Sequence, residues 1–126
     1  MYEYKGKAIR VIDGDTIEAE IDLGFNIKIK ETIRLYGINT PETRTKDHDE
    51  KERGIKAAAR LSNLLSSSNN EFVIKTHFST KEKFNRTLGE IFVKDVYAYN
   101  EQKDNLFNIN VNKLLVEENH AVKYMI

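Results

Sequence analysis

The chain has 126 residues, 40% hydrophobic and 32% charged, with Lys+Arg and Asp+Glu equal at 20 each and no cysteine. That length and mix fit a single soluble domain, 1–126, with one modest core; they exclude a disordered chain, a generally basic nucleic-acid coat, a disulfide framework and any thiolate-based metal or catalytic site. No apolar run has the length of a signal-peptide core or a membrane span, so the expectation is a monomer with no membrane attachment, cytoplasmic if complete as written and secreted if a leader has been trimmed.

Residues 7–12 and 16–22 are strand-like and flank "DGD" at 13–15, an Asp-Gly turn signal between β-rich runs. Along the second run Ile17, Ala19 and Ile21 alternate with Glu18, Glu20 and Asp22, which is period two with one buried face. "LGFN" at 23–26 is the next turn, and the run 27–36 places Ile27, Ile29, Ile33 and Leu35 on one face against Lys28, Lys30, Thr32 and Arg34 on the other. These runs predict a three-stranded meander with a cationic outer stripe. "RTKDHDEKE" at 44–52 lacks periodicity and is expected to be a solvated loop. Ala57, Ala58, Leu61, Leu64 and Leu65 then repeat at helical spacing, predicting an amphipathic helix over 53–65 that ends in "SSSNN". Strands are expected at 71–78 and 87–93, separated by the polar turn "STKEKFNR", followed by a strand, tip and return within 96–109. Asn110 is placed to cap a last helix with Val111, Leu114 and Leu115 inward, and "AVKYMI" closes the chain as a short strand or tail. The order is mainly β and fits an α+β fold, a five-stranded Greek-key barrel of the oligonucleotide/oligosaccharide-binding (OB) type with packed helices. Periodicity alone also allows other small α+β folds.

Several chemistry-bearing residues follow element ends: Asp15 in the first turn, Arg34 near the end of the third strand, Asn39, Thr40 and Glu42 in the corner after it, and Arg86 before "TLGEIFV". Each has an ordinary structural reading as a turn residue or a solvated charge. The same holds for the three histidines: His48 lies in a polar loop, and His77 and His120 are isolated in sequence. The combination is less ordinary. "VIDGDT", "RLYGINTPET", a helix carrying "ERGIKAA", "KFNRTLGEIFV" and "VNKLLVEENHA" occur in this order, and over residues 7–124 they resemble the staphylococcal nuclease (thermonuclease) family. The first two motifs are specific; the last is a general helix pattern.

The resemblance implies a five-stranded barrel with helices and calcium-dependent hydrolysis of DNA and RNA phosphodiesters, leaving 3′-phosphates. Carried over by position, it implies that Asp15 and the carbonyl of Thr40 bind metal. It implies further that Arg34 and Arg86 hold the scissile phosphate and that Glu42 is the general base. Asn39 stands where a second metal-binding aspartate is usual, and Phe84 where a tyrosine contacts phosphate. An amide oxygen is an ordinary calcium ligand without the formal charge, so Asn39 is expected to weaken the site rather than abolish it. Lys28, Lys30, Lys83 and Phe84 are expected to meet the substrate, preferably single-stranded. The chemistry suits these residue types: guanidinium forks meet the growing charge of a phosphoryl transition state, a hard cation neutralises it, and a carboxylate removes a proton from water. The alternative is a non-catalytic OB-type module that binds nucleic acid or protein; it leaves the joint presence of two arginines and a glutamate unexplained.

Overall fold

Alternating side chains build the first three strands. A computed structural model describes residues 2–78, 86–95 and 107–124. β1 (Glu3–Asp13), β2 (Thr16–Asp22) and β3 (Lys28–Leu35) form the expected antiparallel meander. The period-two pattern of β2 buries Ile17, Ala19 and Ile21. β1 begins at Glu3 rather than residue 7, because its first half pairs with the distant β5 (Glu71–His77), from Glu3 opposite Lys75 to Lys7 opposite Glu71. Its face pattern there is carried by Tyr4 alone among lysines and a glycine.

Ile33 and Leu35 of β3 are fully buried as expected, but Ile27 and Ile29 are 53% and 38% exposed. Among the described residues β3 pairs with β6 (Thr87–Lys94) only over its last residues, so its first half has β2 alone beside it.

β5 (Glu71–His77) and β6 (Thr87–Lys94) are antiparallel, and the start of β6 pairs in parallel with β3: Ile33 with Thr87, Arg34 with Leu88, Leu35 with Gly89. That seam closes β3-β2-β1-β5-β6 into the expected five-stranded barrel, and the second half of β6 pairs with β7 (Phe107–Asn110). Inside lie Phe72, Ile74, Ile91 and Val93 together with the residues of β2 and β3.

α1 (His48–Ser67) caps the barrel with a buried stripe of Gly54, Ala57, Leu61, Leu64 and Leu65. It starts inside the stretch expected to be loop. Asp47 is its N-cap, accepting from the Asp49 and Glu50 amides, and the turn it starts is polar, so it carries no apolar rhythm. α2 (Val111–Glu117) is capped by the Asn110 side chain, which accepts from the Lys113 amide. Arg60 of α1 holds Glu118 in a bidentate pair at 2.6 and 2.9 Å. Asn112 of α2 is buried; its amide nitrogen donates to the carbonyls of Tyr36 and Gly89, on the two sides of the seam, and its oxygen accepts from the Ile91 amide. β4 (Ile38–Asn39) pairs with β8 (Val122–Lys123), so the tail is a strand. Among the described residues no helix is long and apolar enough to cross a membrane.

Candidate active site

The turn between β1 and β2 and the corner between β3 and α1 meet at one end of the barrel. Asp15 is the hub. Its Oδ2 accepts from the Thr40 amide at 3.0 Å, its Oδ1 from the Thr16 hydroxyl at 3.0 Å, and its backbone carbonyl from the Leu35 amide at 2.8 Å. Gly14 is required beside it: a Cβ there would come within 2.7 Å of Ala57 Cβ and 3.0 Å of Thr40 Oγ1.

Arg34 is buried, 7% exposed, rather than solvated on the outer face of its strand. Its Nη1 lies 3.3 Å from Asp15 Oδ2 and donates to the Leu35 carbonyl at 3.0 Å, and its Nη2 donates to Asn39 Oδ1 at 3.3 Å. A guanidinium has five N–H groups. Among the described residues no hydrogen bond engages Nε–H, and a guanidinium can fork onto two oxygens of a phosphate. Desolvating the Asp15–Arg34 pair is costly, and the extra hydrogen bonds to Thr16, Thr40 and Asn39 offset part of that cost.

The corner is fastened from three directions. Asn39 pairs with Val122 of β8; Thr43 donates to Asp13 Oδ1 from its hydroxyl at 2.6 Å and from its amide at 3.4 Å; and α1 lies directly beneath Pro41 and Glu42. Gly54 makes that last approach possible, since a Cβ there would stand 2.6 Å from the Glu42 carbonyl oxygen. The Glu42 side chain is exposed, and its amide faces Glu50 Oε1 at 3.4 Å.

Thus the structure brings Asp15, Arg34, Asn39 and Thr40 into one hydrogen-bonded group, with Glu42 on the same short corner. Half-buried Arg86 directly precedes Thr87, the seam partner of Ile33, so its backbone lies at the start of the β3–β6 seam. Lys28 and Lys30 lie elsewhere. They are exposed on the first half of β3 and face Asp22 and Glu20 across the ladder, with Lys28 Nζ 4.0 Å from Glu20. Lys83 and Phe84 lie outside the described residues.

Among the described residues no three His, Cys, Asp or Glu side chains gather as a metal cage. The candidate oxygens are the Asp15 carboxylate, which accepts from the Thr40 amide, the Asn39 amide oxygen, which accepts from Arg34, and the Thr40 carbonyl; Thr40 Oγ1 is buried with no hydrogen-bond partner among the described residues. This donor set is hard and all-oxygen, which fits calcium with water completing its shell.

A polar cavity of about 340 Å³ adjoins the corner, walled by residues 39–42, by Glu50 and Arg53 of α1 and by 119–122. Arg53, His120 and Asp13 did not stand out in the sequence. Asp13 carried a signal, the first Asp of "DGD"; the other two carried none, because the pairing of β4 with β8 creates the cavity.

The profile of the family described as staphylococcal nuclease homologue matches residues 32–126. Endonuclease YhcR of Bacillus subtilis (strain 168) is 27% identical over 98% of this chain and 9% of its own length. An uncharacterized protein of Methanocaldococcus jannaschii is 28% identical over 97% of this chain and 60% of its own length. The chain therefore spans less than two thirds of either relative.

Proposed function

Because the chain belongs to the staphylococcal nuclease homologue family, we propose that it hydrolyses phosphodiester bonds of nucleic acid at the Asp15–Glu42 corner. The observation that carries this reading is the buried Arg34, held in place by Asp15, Asn39 and the Leu35 carbonyl with its Nε–H not engaged among the described residues. A guanidinium held in this way costs little reorganisation when charge builds on a phosphoryl group.

In this reading Arg34 and Arg86 hold the non-bridging oxygens of the scissile phosphate. Glu42 accepts a proton from the attacking water as the water oxygen bonds to phosphorus. The bond from phosphorus to the 5′-oxygen breaks, and that oxygen takes up a proton from solvent, leaving a 3′-phosphate and a 5′-hydroxyl. Asp15, Asn39 and Thr40 are the residues that would hold calcium, which when bound adds positive charge beside the phosphate. Single-stranded DNA or RNA is the expected substrate, because the scissile phosphate must reach a corner at the barrel end.

The test is digestion of single-stranded DNA and RNA with calcium, with and without chelator, with end-group analysis of the products. Chelator-sensitive cleavage giving 3′-phosphates is expected. Binding without cleavage would instead support a non-catalytic module. The observation favouring that second reading is that Arg34 already engages both Asp15 and Asn39, the oxygens a cation would use.

A further inference from the structure

The cavity beside the corner has a feature that the proposed hydrolysis does not use. Among the described residues Arg53 has no ion-pair, hydrogen-bond or ring partner, although it lines a concave polar site. Arg10, Arg34 and Arg60 are paired with carboxylates, and Arg44, which like exposed Arg53 has no partner among the described residues, lies outside the cavity. The cavity is also preformed: β8 holds one wall through Asn39 and Val122, Gly54 seats α1 under Glu42, and Arg60 with Glu118 ties α1 to the end of α2.

We infer that this cavity is a second substrate subsite, holding the nucleotide that keeps the new 3′-phosphate, with Arg53 on that nucleotide's own 5′-phosphate. The inference rests on the hydrolytic reading above, and its direction follows from in-line displacement. Glu42 and its water approach phosphorus from one side, so the leaving 5′-oxygen departs on the opposite side, away from Glu42. The retained 3′-oxygen is equatorial, between the two; the cavity contains Glu42 and so lies away from the leaving oxygen, where it is open to the retained nucleoside. Its volume of about 340 Å³ suits one nucleoside rather than a longer segment. Exposed Val122 and the half-buried His120 ring offer apolar surface to a sugar or base. Glu42 and Glu50 repel an anion from their part of the wall, which confines the phosphate to Arg53. A guanidinium takes such a phosphate as a fork.

The experiment compares two thymidine dinucleotides, each with one scissile bond, one carrying and one lacking a 5′-phosphate. In the wild-type chain with calcium, the 5′-phosphate should lower KM by about tenfold, the worth of one charge-assisted contact. In Arg53→Ala the two KM values should converge, and Arg53→Lys should restore part of the difference. Lys56→Ala removes the same charge from an exposed position on α1 outside the cavity and should keep the wild-type preference. Circular dichroism melts establish that each variant is folded. If the wild type cleaves both dinucleotides with equal KM, or Arg53→Ala keeps the preference, the subsite is wrong while the nuclease reading stands. If the wild type cleaves neither these nor longer single strands, both fall together.

Discussion

Thr40 shows how a single atom separates structure from function. Its hydroxyl is buried and has no hydrogen-bond partner among the described residues. Thr40→Val replaces it with a methyl of the same shape, so in calcium-free buffer the variant should be more stable by about 1 kcal/mol, the desolvation cost of an unmade bond. If the hydroxyl is kept for a cation, the same variant should bind calcium more weakly; calorimetry with and without calcium reads both effects, and unchanged affinity would remove Thr40 Oγ1 from the ligand set. Asn39→Asp tests the neighbouring position. The new carboxylate adds charge near Asp15, but it meets Arg34 Nη2, which already lies 3.3 Å from Asn39 Oδ1. Stability without metal should therefore hardly change, and calcium affinity should rise. Calcium titration of binding and of cleavage decides it. Arg34→Ala should cost more than activity. It leaves Asp15 buried without its cation, a loss of about 3 kcal/mol in a urea melt, and lowers turnover by roughly 10²–10³. A variant that kept full turnover would remove Arg34 from the chemistry.

The helices matter as supports, and α1 most of all. Gly54 sits in a helix interior, where alanine ordinarily gains about 1 kcal/mol. Here the added Cβ would press on the Glu42 and Pro41 carbonyl oxygens at 2.6 and 2.8 Å. Gly54→Ala should therefore lower both melting temperature and kcat, and a stabilised, fully active variant would show that the corner does not depend on its seat. The Arg60–Glu118 clamp adds a pH dependence. Hydrogen bonding to Arg60 holds the Glu118 carboxyl below its usual range, against a smaller opposing effect of burial. A carboxyl depressed in the fold contributes stability above its unfolded pKa of about 4.3 and loses it as pH falls through the folded value. Glu118→Gln should melt lower than wild type at pH 7, with the gap closing in acid. Elements of this kind were only partly legible. The β2 alternation, the Asp-Gly turn and the leucine face of α1 repeat at short range, so the sequence displays them. The first turn of α1 is capped by Asp47 and bears no apolar side chain, so it resembles loop. The burial of Arg34, the pairing of β4 with β8 and the cavity at Arg53 depend on partners far along the chain, which local pattern does not encode.

At the level of the whole molecule, zero net charge predicts how nucleic acid is held. With the proposed substrate few phosphates would be contacted, so oligonucleotide affinity should fall with salt, but along a shallow slope. Salt-independent binding would contradict phosphate contact altogether. The barrel's closure has a consequence for motion. Among the described residues three pairs form the β3–β6 seam, whereas β2 and β3 share seven. Across this narrow join, the Asn112 side chain bonds to Tyr36 on one side and Gly89 on the other, acting as a staple. Transient opening of the barrel should therefore begin at this seam, well below the free energy of global unfolding. Each opening would carry Arg34 away from the strand that Arg86 leads. In Asn112→Ala, amide hydrogen exchange should accelerate at Tyr36, whose amide bonds to the Gly89 carbonyl, before it accelerates in the β1–β2 ladder. The polymer would then meet a site whose completeness is set by how often this staple lets go.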